Sequence, residues 1–199
     1  EDAARGTCIN MNGSPHLHLP ISVRLVMLKV LVALLPGIAV YVWFFGAAIL
    51  VQIALASAAA LAGEAAMLRL RGKPVGLFLT DGSALVTAWL IALTFPPIAP
   101  WWLIVSATLF AIVVAKHLYG GLGQNPFNPA MVAFCVAIIA FPALMSQWPA
   151  VGFTDFAAQM AVVFQSQSAQ DAVTMATPLD ALRTSLHTPE ARATVAGIL

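Results

Sequence analysis

Long uncharged runs alternate with short charged joints along this chain. Val30 to Gly63, Gly82 to Ala115 and Leu118 to Thr154 contain no Asp, Glu, Lys or Arg, and each exceeds the roughly 18 apolar residues that mark a membrane span. The first run is too long for one helix and divides at Phe45-Gly46 into spans over 24–44 and 47–68. The second divides between Phe95 and Trp102, where prolines stop one helix and tryptophans suit an interface, giving spans over 79–96 and 100–118. A fifth span fits between Pro129 and Trp148. The pattern predicts an all-α integral membrane protein with five transmembrane helices.

Composition agrees with this reading. With 61% hydrophobic and 9% charged residues among 199, the chain has too little polar surface to cover a water-soluble globule. The lipid bilayer is its expected surrounding, and a formal charge of +1 argues against nucleic acid as a partner. Arg24 and Lys29 stand at the first span, Arg69, Arg71 and Lys73 between the second and third, and Lys116 with His117 at the end of the fourth. The turns at 45–46 and 95–101 carry no cation. The positive-inside rule therefore places the N-terminus in the cytoplasm and, after five crossings, everything beyond Trp148 outside.

Three parts follow: a cytoplasmic segment over 1–19, a five-helix region over 20–148 and a polar segment over 149–199. The first lacks the apolar core of a cleaved signal, so the first span is read as a retained helix. The last closes on an apolar run without a helix stop signal, which suggests continuation into a longer protein. Cys8 and Cys135 are too few and too far apart for a metal or iron-sulfur site, and no metal is expected.

The most unusual polar stretch runs from Gly120 to Met131 and holds two Asn-Pro steps. Asn128 before Pro129 suits a helix N-terminus, because the Asn side chain accepts from an early amide while proline needs no partner. Asn125 before Pro126 can do the same one turn earlier. At membrane depth the remaining amides must face protein, ligand or water, and Gly120, Gly121 and Gly123 let backbone approach a bound group. The stretch reads as a glycine loop ahead of a capped helix, as a ligand wall, or as a pore with Asn125 and Asn128 for a filter. The pore reading, a channel or solute transporter, normally needs two Asn-Pro-Ala motifs on opposed half-helices, and one is present.

Glu64 and Asp81 are the acids nearest bilayer depth, where a charge suggests a proton or sodium step. Each also has a structural reading. Glu64 lies about 7 Å of helix rise from Arg69, within snorkelling reach of the interface, and Asp81 with Thr80 and Ser83 suits a helix cap. His16 and His18 read as a solvated interfacial pair, and His117 as a complement to a helix dipole or to lipid headgroups.

In the last segment, the stretch from Asp171 to Asp180 makes Thr177 the N-cap of a helix that starts at Pro178. Together with Lys116 to Met131, Ser14 to Met27 and Asp81 to Trp89, it resembles the NqrB/RnfD family. Its members are membrane components of the Rnf electron transport complex and of the related sodium-translocating NADH:quinone oxidoreductase. The resemblance implies a ten-helix fold of two inverted five-helix repeats, of which one half fits here. It implies FMN held by a phosphoester bond to Thr177, with Asp171, Thr174 and Ala176 at matching motif positions and Met175 where the stricter motif has glycine.

It also implies a flavin transferase for maturation and a noncovalent riboflavin in the membrane part, for which Gly120, Gly121, Asn125 and Asn128 are the candidate wall. The implied setting is a bacterial inner-membrane complex whose partners include a second covalent-FMN subunit and iron-sulfur subunits. There the chain would relay electrons within a redox-driven sodium or proton pump coupling ferredoxin and NAD, and would not be a complete enzyme alone. Thr177 is then an anchor rather than a catalytic residue, with the redox chemistry left to the flavin ring. A phosphoester at that helix N-terminus gains about 0.3–1 kcal/mol from free amides and the helix dipole.

Overall fold

The computed structural model describes residues 22–121, 123–124 and 126–164, with the backbone alone at Leu77 and Phe78. Eight helices account for most of them. α1 (Val23–Phe45) starts at Ser22, whose side chain accepts from the Leu25 amide at 3.3 Å, and ends at Gly46 with φ +83°. α2 (Ala48–Leu70) follows after a two-residue turn. The short α3 (Val75–Leu79) precedes α4 (Ser83–Thr94), and α5 begins at Trp101. α5 is α-helical to Phe110 and continues with wider π-helical bonding over Ala111–Leu118. α6 (Pro129–Ala140), α7 (Pro142–Met145) and α8 (Phe156–Phe164) complete the described fold.

α2 is the central member and packs on α1, α4 and α5. Its buried face is built from Ala56, Ala59, Ala60 and Gly63, small residues that let neighbouring backbones approach. In lipid this matters because packing, rather than removal of apolar surface from water, drives helix association. A Cβ on Gly63 would sit 3.2 Å from Leu109 Cδ2, so the α2–α5 contact is already close. α1 is peripheral: Ile38 is its buried residue, while Leu28, Val32, Leu35, Val40 and Trp43 are exposed. An apolar exposed face of that length suits lipid.

Two of the five expected spans come out shorter. α1, α2 and the whole of α5 are long and apolar enough to cross a membrane, but α4 and α6 have 12 residues each, about 18 Å against a hydrocarbon core of about 30 Å. The span expected over 79–96 is broken by Thr80-Asp81-Gly82, where Gly82 takes φ +80° as the N-cap of the new helix and Asp81 Oδ1 accepts from the Ser83 amide. The span expected over 129–148 is broken at Phe141, which adopts φ −134° and ψ 56° before Pro142. The second break is concealed inside an uncharged run because it uses proline rather than charge, whereas the first falls at Asp81, at the edge of its run.

Buried glutamines close the end of the bundle where α1 turns into α2. Gln52 Nε2 donates to the Ala99 carbonyl at 2.6 Å and to that of Pro97 at 3.3 Å, tying α2 to the α4–α5 connection. Gln159 on α8 is fully buried in the α1–α2 turn. Its Oε1 accepts from the Ala48 amide at 3.0 Å, and its Nε2 donates to the carbonyls of Phe45 at 2.7 Å and Phe153 at 2.6 Å. These bonds satisfy helix-terminal groups that lipid cannot. Segment 149–164 thus folds back onto the bundle.

A candidate ion-pair site beside the glycine loop

Two helices carry matching buried stripes with a four-residue period. On α2 the stripe is Gln52, Ala56, Ala60, Glu64 and Leu68, and on α5 it is Ile104, Thr108, Ile112 and Lys116. Packing of α2 on α5 brings the charged members together. Lys116 Nζ donates to Glu64 Oε2 at 2.8 Å and to Ser83 Oγ at 2.8 Å, and the side chains of the ion pair are 4% and 3% exposed. Ser83 Oγ donates in turn to Asp81 Oδ1 at 2.7 Å, which also accepts from the Ser83 amide at 2.8 Å. A continuous polar chain therefore links α2, α5 and the start of α4.

The π-helical segment supplies a second contact to the same carboxylate. Successive residues diverge by about 100° on an α-helix, and the wider turn brings them closer in angle. Lys116 and His117 are both buried, and His117 Nε2 lies 3.2 Å from Glu64 Oε2. That approach lacks hydrogen-bond geometry, and His117 Nδ1 has no hydrogen-bond partner among the described residues. Arg71 holds the segment's end by donating from Nη1 to the His117 carbonyl at 3.1 Å. Removing charges from water costs several kcal/mol each, so the cluster persists only because its members pair.

Beyond Tyr119 the chain turns sharply, with φ +107° at Gly120, +105° at Gly121 and +82° at Gly123. A Cβ on Gly120 would come within 2.9 Å of Gln124 Cβ, so space as well as φ requires glycine there. The loop roofs three cavities. One of about 430 Å³ is lined by Glu64, Arg71, Asp81, His117, Gly120 and Gln124, among others. A second, of about 200 Å³, lies where α4 and α6 begin and touches Ser83, Thr87, Lys116, Gly121 and Asn128. A third, of about 610 Å³, is mainly apolar and has Tyr119, Phe127, Asn128, Met131 and Cys135 on its walls.

Gly120 and Gly121 therefore both reach the cavity beside the ion pair, and Asn128 reaches the other two. Asn128 Oδ1 accepts from the Ala130 amide at 3.0 Å with Pro129 as first helical residue, the cap expected from sequence. Asp81, expected as a cap, stands one position ahead of the N-cap Gly82 and accepts from the Ser83 amide. Asn125, Asp171, Thr174, Ala176 and Thr177 lie outside the described residues, as do Cys8, His16 and His18.

Three expectations are corrected. Glu64 pairs with Lys116, 52 positions away, instead of snorkelling toward Arg69, which is exposed. Lys116 is an interior charge paired with Glu64, whereas the positive-inside reading counts it with the surface cations. His117 is buried against Glu64 rather than at headgroups, while its place in the last turn of α5 keeps the helix-dipole reading. The signal that would have found the pair was the four-residue stripe on which each charge falls.

Residues 10–198 match the profile of the NQR2, RnfD, RnfE family. Among curated relatives, a protein of Citrobacter koseri described as the D-type component of an ion-translocating oxidoreductase complex is 45% identical over 193 residues, which cover 87% of this chain and 54% of that protein. Proteins with the same description from Aeromonas hydrophila and Escherichia fergusonii are 47% identical over 193 residues and 45% over 190. They are covered to 55% and 54% of their length, with 89% and 87% of this chain aligned. The chain thus spans about half the length of the curated relatives it matches.

Proposed function

Since the chain belongs to the NQR2, RnfD, RnfE family, we propose that it forms part of a membrane subunit in a redox-driven ion pump, coupling electron transfer between ferredoxin and NAD to sodium or proton movement. The observation that carries this reading is the buried Glu64–Lys116 pair beside a cavity of about 430 Å³ whose walls include Arg71, Asp81 and His117. A carboxylate held at membrane depth is expensive to maintain, and an ion step gives it a use. Relatives described as components of an ion-translocating oxidoreductase complex support the assignment.

In this reading Thr177 carries FMN through a phosphoester bond, Asp171, Thr174 and Ala176 belong to the stretch a flavin transferase recognises, and the segment faces the periplasm of a bacterial inner membrane. Iron-sulfur and flavin subunits of the complex deliver and remove the electrons. Bound flavin supplies the capacity to accept and release one or two electrons. For a noncovalent riboflavin the residues fit best at the cavity of about 610 Å³, where Tyr119 and Phe127 offer flat apolar walls and Asn128 an amide. The charged lining around Glu64 suits an ion better than a neutral ring. α4 and α6 both start at one cavity, with Phe95 against Phe134, whereas the half-helices of an Asn-Pro-Ala pore start on opposite sides.

The test is mass spectrometry of the peptide containing Thr177 from purified complex, together with in-gel flavin fluorescence. A mass gain equal to esterified FMN, lost in Thr177→Ala, is expected. A Thr177→Ala protein that retains covalent flavin sinks the assignment.

A further inference from the structure

Glu64 and its counter-ion are held very differently. Glu64 stands on α2, which is regular over its whole length. Lys116 stands on the eight-residue π-helical segment and is followed within seven residues by three glycines at positive φ. Wide bonding of this kind is rare and recurs at functional sites. Its return to α-helical bonding adds about 20° of rotation per residue, so the five steps from Ala111 to Lys116 accumulate roughly 100°. That rotation takes the ammonium off Glu64, and the glycines absorb the change.

A destination is already present. Lys116 and Ser83 face the cavity of about 200 Å³ that also touches Thr87 and Asn128, whereas Glu64, Asp81, His117, Arg71 and Lys73 face the one of about 430 Å³. The ion pair is the boundary between them.

We propose that Lys116 is a tethered cation that occupies the Glu64 carboxylate between ion-binding events. When the 111–118 segment carries Lys116 off Glu64 and further into the smaller cavity, toward Thr87 and Asn128, Glu64 takes a sodium ion or a proton from the larger one. The lysine's return displaces it. This rests on the reading of Glu64 as the ion step, and it makes Lys116 a positioning residue that sets when the carboxylate is free.

The experiment uses assembled complex in inverted membrane vesicles, driven by reduced ferredoxin with NAD as acceptor. Pumping is titrated with sodium against choline at fixed pH and, in sodium-free buffer, against pH with an indicator dye; the half-saturating concentration of the cation that drives wild type is read. Lys116→Met removes the competitor, so half-saturation falls at least tenfold while ions moved per electron decline. Lys116→Arg keeps the charge and grips a carboxylate with a two-pronged fork, so half-saturation rises at least threefold in a complex that still assembles. Values within twofold of wild type for Lys116→Arg overturn the proposal, whether or not Lys116→Met assembles. Glu64→Gln separates the two levels: if it pumps with unchanged cation dependence, the ion step at Glu64 fails as well. If it uncouples while the lysine variants leave half-saturation unmoved, the tethered-cation proposal alone fails.

Discussion

Replacing Gln159 tests how the α8 segment is locked to the membrane bundle. Its side chain makes three hydrogen bonds to backbone groups of Ala48, Phe45 and Phe153 in a fully buried position. Gln159→Leu keeps much of the volume and removes all three. At about 0.5–1.5 kcal/mol net for each bond, and about 1–3 kcal/mol where a buried group is left unmatched, the expected loss is about 3–5 kcal/mol. Gly46→Ala attacks the same site from the other side, because a Cβ there overlaps the Gln159 amide and must also adopt φ +83°. Alone it should cost at least as much. Gln159→Ala vacates that space, so in the double variant the clash is gone and the strain of an alanine at φ +83° and ψ 179°, a region held essentially by glycine, remains at about 1–3 kcal/mol. The measurement is the midpoint of SDS-titrated unfolding in mixed micelles, followed by far-ultraviolet circular dichroism. Strict additivity of Gly46→Ala and Gln159→Ala, or a Gln159→Leu loss below about 1 kcal/mol, refutes the clamp.

Two further outcomes are expected from the same assay. Lys116→Ala leaves Glu64 without its ammonium partner and should cost about 3–5 kcal/mol, whereas Glu64→Gln with Lys116→Met removes both charges and should lose far less, since the desolvation penalty disappears with the pair; equal losses would contradict a desolvated pair. Asn128→Ala should cost about 1 kcal/mol by uncapping α6, with Asn128→Asp near neutral; a loss shared by both would show that the side chain serves something other than the cap.

Much of the fold was legible because membrane insertion is a one-dimensional constraint. The spans over 24–44, 47–68 and 100–118 fall within a few residues of α1, α2 and α5, since long uncharged stretches have few alternatives in a chain this apolar. The cap at Asn128 and the turn at Asp81 were readable for a similar reason: each side chain accepts from an amide two residues away. The half-length of α6 was not, because Phe141-Pro142 interrupts a helix without interrupting hydrophobicity, and α4 starts late because a polar turn at Thr80-Asp81, with Gly82 at φ +80°, precedes it.

What the sequence determined by itself is therefore local and additive: which segments are long and apolar enough for the bilayer, and which side chains stand ready at helix starts. The tertiary structure decided who meets whom. Arg69 and Lys116 are both plausible partners for Glu64 by composition, and the nearer one in sequence is wrong. The α2 stripe aims Glu64 at α5, and a π-helical turn delivers Lys116 and His117 to one carboxylate oxygen. A charge in lipid takes the partner that burial leaves within reach, and that depends on helix rotation and crossing, which no short window of sequence contains.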